Sequence, residues 1–316
     1  LKPTLHVSRR LPERVMAELD RDFAVTCRDT TLPMDLTEVR AALAGFDALL
    51  PTLGDALRAE AFAGPVRARI LANFGVGYNH IDTVAARAVG LEVTNTPGAV
   101  TEATADIALA LMLMTARRAG EGERMLRAGR WTGWHPTQML GMHLGGRTVG
   151  IIGMGRIGKA IARRAHLGLG MSVRFYNRSP VADAGVPATQ VATLAEAMAS
   201  DVVVVAVPGG KATHHLIDAP AIDAMPAHAI FVNIARGDVV EEAALVAALT
   251  AGRIAGAGLD VYEFEPRVPE ALIGMENVTL LPHLGTNALE VREAMGMMAV
   301  ENLRAFFGGW PVPNPV

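Results

Sequence analysis

The stretch Thr148-Val149-Gly150-Ile151-Ile152-Gly153-Met154-Gly155-Arg156-Ile157-Gly158-Lys159 decides the fold. Five residues of β-type, apolar after the first, run into Gly-x-Gly-x-x-Gly, and a helix-compatible run from Lys159 to Leu167 follows. The spacing alone is weak in a chain with 32 glycines. Its place between a strand and a helix gives it meaning, because each glycine then has a separate task. Gly153 permits the tight turn, Gly155 lets backbone approach a pyrophosphate, and Gly158 lets the helix pack close to the strand. The amides of Arg156 and Ile157 would face the anion at the positive end of the helix. The motif therefore predicts a dinucleotide site.

Outward from this turn, apolar strands recur at Val173 to Tyr176, Val202 to Val207, Ile230 to Ile234, Ala257 to Asp260 and Thr279 to Leu281. Most lack in/out alternation, as expected of parallel strands buried on both faces. Helical segments separate them, including the Thr193-Leu-Ala-Glu196 capping box and Glu241 to Ala251, closed by Gly252. The first hundred residues repeat the rhythm with Thr4 to Val7, Ala24 to Cys27, Asp47 to Leu50, Arg69 to Ala72 and Glu92 to Thr94, and with a capping box at Asp35-Leu-Thr-Glu38. The expectation is an α/β protein of two Rossmann-like or flavodoxin-like doubly wound parallel sheets joined by long hinge helices. One helix is expected from Thr101 to about Arg127, apolar enough to pack between domains and against a second subunit, and another from Ala288 to Phe307, returning to the first domain. Residues 1–99 with 287–316 would form a discontinuous substrate-binding domain, and 100–286 the dinucleotide domain.

Composition excludes several classes. With 316 residues, 51% hydrophobic and 19% charged, the chain has material for two cores. A formal net charge of -3 gives no electrostatic reason to expect nucleic acid or anionic lipid. Cys27 is the single cysteine, so no intrachain disulfide forms. With no apolar stretch suited to a bilayer and no secretory pattern, the expected location is cytoplasmic.

At the end of the strand after the glycine turn, an NAD site usually presents Asp or Glu to the adenosine ribose. Asn177, Arg178 and Ser179 stand there instead, with a guanidinium and a hydroxyl suited to a 2′-phosphate and no carboxylate to repel it. NADP(H) is therefore expected to be preferred, with NAD(H) possible. No metal is implied.

Three residues after strand ends carry candidate chemistry: Arg236, Glu265 and His283. Reducing a 2-keto acid needs a proton donor for the keto oxygen, a cation for carboxylate and carbonyl, and a group to support the donor. Taken singly, Arg236 could be a surface cation, Glu265 a loop cap and His283 a core histidine. Behind strands of a dinucleotide fold, the three together point to catalysis.

Asn73-Phe-Gly-Val-Gly-Tyr-Asn-His-Ile-Asp82, the glycine turn, Asn233-Ile-Ala-Arg-Gly-Asp238, Leu259-Asp-Val-Tyr-Glu-Phe-Glu-Pro266 and Pro282-His-Leu-Gly285 follow in an order that resembles the D-isomer-specific 2-hydroxyacid dehydrogenase family, most of all its glyoxylate/hydroxypyruvate reductases. The resemblance runs nearly end to end. It implies that Arg236, Glu265 and His283 are the catalytic set: His283 as imidazolium protonates the keto oxygen, Glu265 orients it, and Arg236 binds the carboxylate and polarises the ketone. It implies that amides of Val76 and Gly77 hold the substrate carboxylate, that Asp260 meets the nicotinamide amide, and that Thr104, Val207, Thr213 and Ala235 line the cofactor. Trp131-Thr-Gly-Trp-His-Pro136 resembles a reductase segment whose second Trp reaches a neighbouring subunit's pocket, which makes Trp134 a substrate residue of a homodimer or else a packing Trp. Formate and phosphite dehydrogenases share the fold, although the formate enzymes carry an amide where Glu265 stands. Corepressors of the C-terminal-binding type also share it, as dinucleotide sensors.

Overall fold

A computed structural model describes residues 1–316. The chain divides into two compact units, Leu1–Val100 with Thr286–Val316, and Thr101–Gly285. The first unit holds β1 (Thr4–Val7), β2 (Ala24–Cys27), β3 (Ala48–Leu50), β4 (Ile70–Ala72) and β5 (Glu92–Thr94). They form one parallel sheet in the order β2-β1-β3-β4-β5, the flavodoxin-like winding. Alternate side chains supply two cores: Leu5, Val7, Leu50, Ile70 and Ala72 face one, and Leu49 and Leu71 the other. The helix Leu289–Phe307 covers the first of these with Ala299, Val300 and Leu303, and Gly296 lets it approach Val15 of the helix Glu13–Asp22.

The second unit holds β6 (Thr148–Ile152), β7 (Ser172–Tyr176), β8 (Ala188–Gln190), β9 (Val202–Val205), β10 (Ile230–Asn233), β11 (Gly256–Leu259) and β12 (Val278–Leu280). All pair in parallel in the order β12-β11-β10-β9-β6-β7-β8. The order reverses between β6 and β9, so the turn after β6 opens at the switch point where doubly wound sheets bind ligands. Again the strands serve both faces: Val202 and Val204 enter one core, Val203 and Val205 the other.

Three local expectations need correction. The single helix from Thr101 to Arg127 is two, Thr101–Ala116 and Ala119–Arg127, divided at Arg118 with φ +53°. The Ala116 carbonyl accepts from the Met142 amide at 2.8 Å, so a distant loop takes the bond that would have continued the helix. Strand β8 was not expected, being three residues of mixed polarity at a sheet edge. The capping box at Thr193 is half present: Thr193 accepts from the Glu196 amide, but the Glu196 carboxylate accepts from the Ala192 amide instead. The box at Asp35 and Glu38 is complete, and Gly252 closes its helix at φ +64°. No helix is long and apolar enough to cross a membrane.

Candidate active site

In the second unit the carboxyl ends of β6, β7, β9, β10, β11 and β12 carry most of the expected site residues. Strand β6 delivers the glycine turn. Gly153 has φ +99°, a conformation side chains avoid, and a Cβ there would stand 2.8 Å from Val207. A Cβ on Gly158 would stand 2.1 Å from the Gly153 oxygen, so the helix Arg156–Arg163 could not start so near the turn with any larger residue. Gly155, by contrast, is exposed with nothing within 4 Å of such a position, which leaves its backbone approachable. No side chain caps this helix. The turn thus fits a pyrophosphate: open space lies over Gly155, with the amides of Arg156 and Ile157 at the helix start.

Asn177 reinforces the turn. Its Oδ1 accepts from the Met154 amide at 3.2 Å and its Nδ2 donates to the Ser179 oxygen at 2.9 Å. Arg178 and Ser179 are exposed beside it, and the Arg178 guanidinium makes no hydrogen bond or ion pair. Thr213 folds its own loop, donating to the oxygens of Pro208 and Gly210. Thr104, buried, donates to the Gly285 oxygen at 3.1 Å, and Ala235 is buried after β10.

The chemistry-bearing residues meet on the loops after β10, β11 and β12. His283 Nδ1 lies 3.0 Å from Glu265 Oε2, and both side chains remain about one-third exposed. The other carboxylate oxygen of Glu265 accepts from the Tyr262 amide at 3.1 Å. Burial opposes the Glu265 charge, but the hydrogen bond and charge of His283, the Tyr262 amide and the charge of Arg236 outweigh it and hold the carboxyl below its usual range. Arg236, half-buried, follows β10. Burial draws its guanidinium below the ordinary range against the charges of Glu265 and Asp238, and it remains a cation. Its Nη1 donates to the Ala235 oxygen at 2.7 Å.

His283 has φ +54°, a left-handed conformation uncommon outside glycine. Asp260 holds it there: the His283 amide donates to the Asp260 carbonyl at 2.9 Å, and the Asp260 carboxylate accepts the amides of Leu284 (2.6 Å) and Gly285 (2.9 Å). Burial raises the Asp260 carboxyl, chiefly against those amides and the charge of His283. Both of its oxygens are thus already engaged, and any contact with a nicotinamide amide shares them.

In the first unit, Val76 and Gly77 lie on the loop after β4. Asn73 Nδ2 donates to the Gly75 and Gly77 oxygens, the Thr96 amide to the Gly75 oxygen, and Asn95 Nδ2 to the Val76 oxygen. Because trans peptide planes set each N–H opposite the preceding C=O, the bonds to the Gly75 and Val76 oxygens turn the Val76 amide away from Asn73 and Thr96 and the Gly77 amide away from Asn95. Trp134, in the second unit, is largely exposed. A cavity of about 480 Å³ lies elsewhere in that unit, lined by Met114, Arg118, Leu140, His228 and Glu276 among others, and holds none of these residues.

Comparison with known proteins identifies the family. The NAD binding domain profile of the D-isomer specific 2-hydroxyacid dehydrogenases matches residues 109–285. The chain belongs to that family. It is 41% identical to a glyoxylate reductase of Pyrococcus furiosus over 322 aligned positions, covering all of this chain and 96% of the relative. A glycerate dehydrogenase of Hyphomicrobium methylovorum is 36% identical over 98% of this chain and 97% of its own. Among solved structures, an NADPH-dependent glyoxylate/hydroxypyruvate reductase of Sinorhizobium meliloti in complex with NADP and malonate superposes with a TM-score of 0.89 at 38% identity, covering 100% and 97% of the two chains.

In this 2-hydroxyacid dehydrogenase, three supporting residues escape a reading of the sequence alone. Asn233, buried at the end of β10, accepts from the Ala235 amide and donates to the Arg236 oxygen, shaping the arginine's turn. Tyr262 donates its hydroxyl to the Leu281 oxygen at 2.9 Å and the Leu259 oxygen at 3.3 Å, stapling the ends of β11 and β12. Gly237 lets the arginine loop press on the Tyr262–Glu263 backbone. A polar residue closing an apolar strand, as Asn233 does, was the available signal.

Proposed function

We propose that this family member reduces small 2-keto acids such as glyoxylate or hydroxypyruvate to D-2-hydroxy acids with a nicotinamide dinucleotide, preferring NADP(H). The observation that carries the reading is the His283–Glu265 pair at 3.0 Å on the carboxyl edge of a dinucleotide-type sheet, with Arg236 close enough for its charge to act on Glu265. The bound dinucleotide supplies the hydride for the keto carbon. Glu265, anionic at neutral pH, accepts from His283 Nδ1–H and leaves Nε2 as the atom that gives its proton to the keto oxygen. Arg236 offers a fork of N–H donors to the substrate carboxylate and ketone. The amides of Val76 and Gly77 are read as a carboxylate cradle.

Arg178, exposed and without a partner, supports the NADP(H) preference, with Asn177 and Ser179 beside it. Thr104, Val207, Thr213, Ala235 and Asp260 are assigned to the cofactor side. We assign residues 1–99 with 287–316 to the substrate and 100–286 to the dinucleotide, and place the enzyme in the cytoplasm as a homodimer. Exposed Leu113, Leu126, Trp131, Trp134 and Leu140 support an assembly surface on the second unit. Sedimentation as a monomer at micromolar concentration would remove the dimer.

The deciding experiment is turnover of glyoxylate, hydroxypyruvate and pyruvate with NADPH and with NADH. Reduction of at least one, with higher kcat/KM for NADPH, is expected. Tight dinucleotide binding without turnover would replace the enzyme by a sensor of the corepressor type.

A further inference from the structure

A second meeting of loops lies beside the catalytic one and is used by none of the chemistry above. His215 Nε2 is 2.7 Å from Glu263 Oε1. The His214 and His215 rings stack, centroids 4.0 Å apart and planes at 30°. One ligand atom each from His214, His215 and Glu263 falls within 4.8 Å of the others.

Two features distinguish this group from a chance surface cluster. His215 has φ +49°, a left-handed backbone state uncommon outside glycine, and its amide donates to the Asp238 oxygen at 2.9 Å to keep it there. Glu263 is fixed from behind. Its Oε2 accepts the Glu242 amide at 3.3 Å, while its own amide donates to Glu242 Oε2 at 3.1 Å, and its side chain is only 12% exposed. One carboxylate oxygen is therefore restrained and the other directed at imidazole.

We propose that His214, His215 and Glu263 bind a divalent cation of the zinc class, with water completing the coordination. Two imidazoles and one carboxylate suit a borderline d-block ion, whereas calcium and magnesium select oxygen ligands throughout. Zinc bonds of about 2.0–2.2 Å set tetrahedral ligands about 3.4 Å apart, so the ion displaces the proton shared by His215 and Glu263 to solvent and opens that pair by roughly 0.7 Å, while His214 closes by roughly an ångström. The exposed His214 ring supplies that movement, turning out of its stack until its in-plane lone pair meets the ion. The bound ion ties the Pro208–His215 loop, which includes Thr213, to a residue two positions before Glu265. Metal occupancy is a readout separate from turnover, so the proposal stands or falls independently of the reductase reading.

The test uses the full chain stripped with EDTA and titrated with Zn²⁺ by calorimetry, with bound metal counted after dialysis. Wild type is expected to take one ion per chain at micromolar zinc. His214→Ala and Glu263→Gln are each expected to weaken binding at least tenfold, and His283→Ala to leave it unchanged. His214 makes no hydrogen bond in the fold, so its variant keeps the test valid even where Glu263→Gln disturbs the exchange with Glu242. Co²⁺ in place of zinc should give visible d–d bands in wild type that His214→Ala abolishes. No bound zinc in wild type overturns the proposal, as does occupancy that survives His214→Ala and disappears with His283→Ala, which would put the ion on the catalytic pair.

Discussion

Adding one methyl group to Gly237 tests whether the active-site loops owe their geometry to close backbone packing. A Cβ there would stand 1.8 Å from the Tyr262 carbonyl carbon, 1.9 Å from its oxygen and 2.2 Å from the Glu263 nitrogen. All three are backbone atoms, so no rotamer relieves the overlap. Ordinary carbon contacts begin at about 3.5 Å, so the two loops must part by roughly 1.5 Å. Arg236 precedes Gly237, and the Tyr262 amide holds Glu265, so the separation moves the cation away from the His283–Glu265 pair. Overpacking of this kind costs about 1–3 kcal/mol, a fall of roughly 2–10 °C in Tm for a unit of this size. Misplacing catalytic groups by about 1 Å costs on the order of 10²-fold in rate. Gly237→Ala is therefore expected to lose roughly 100-fold in kcat/KM for the 2-keto acid while retaining most of its NADPH affinity, since the glycine turn follows a different strand. Gly45→Ala, where a Cβ meets nothing within 4 Å, serves as the silent control. Thermal melts and steady-state kinetics on both variants decide it. A folded Gly237→Ala enzyme within threefold of wild-type kcat/KM would refute the reasoning.

His283→Ala should lose about 10²–10⁴-fold in kcat with little change in dinucleotide affinity, and near-wild-type turnover would end its role as proton donor. Arg178→Ala should raise the KM for NADPH roughly tenfold or more, the worth of a charge-assisted bond, and leave NADH within twofold; equal changes would remove the 2′-phosphate contact. Because the folded Glu265 carboxyl lies below its ordinary range, its ion pair contributes stability in full above the unfolded value of about 4.3 and loses it as pH falls through the lower folded one. The Tm difference between wild type and Glu265→Gln should therefore hold near pH 5.5 and shrink only below about pH 4, and a difference already lost at pH 5 would contradict the assigned shift. Asp260→Asn keeps one acceptor and turns an NH₂ toward the second amide, so it should destabilise by about 1–3 kcal/mol in denaturant melts and lower kcat.

Much of this is legible in the sequence because the residues concerned are forced by local chemistry. Gly153 and Gly158 are needed for a positive φ and for a 2.1 Å approach, and a strand on one side and a helix on the other suffice to locate them. Runs such as Val202–Val205, buried throughout, are equally plain. What stays hidden depends on partners distant in the chain. The helix break at Arg118 is set by Met142, the turn at Arg236 by Asn233, and the space for it by the backbone of Tyr262, and no periodicity in the segments themselves records those encounters. Asp260 is the instructive case: its type and place suggest a ligand, yet in the fold both its oxygens first hold the turn that carries His283.

That arrangement accounts for why a histidine rather than a glycine can occupy a left-handed position. The conformation costs a non-glycine residue about 1–2 kcal/mol. Against it stand three bonds from Asp260: one neutral, to the His283 amide, and two onto its carboxylate side chain. A neutral bond is worth about 0.5–1.5 kcal/mol net and one to a charged group about 1.5–3 kcal/mol. Burial of the carboxylate, which raises the Asp260 carboxyl, offsets part of this, and what is left sets against the strain and holds the His283 backbone before any substrate arrives. Asp260 can do this because β11 ends beside β12: its carbonyl meets the His283 amide one step beyond the last strand pair, Leu259 with Leu280, and its side chain spans the next two amides. Extending either strand by one residue would carry the histidine past this hold, which makes strand length, more than loop composition, the feature that positions the proposed proton donor.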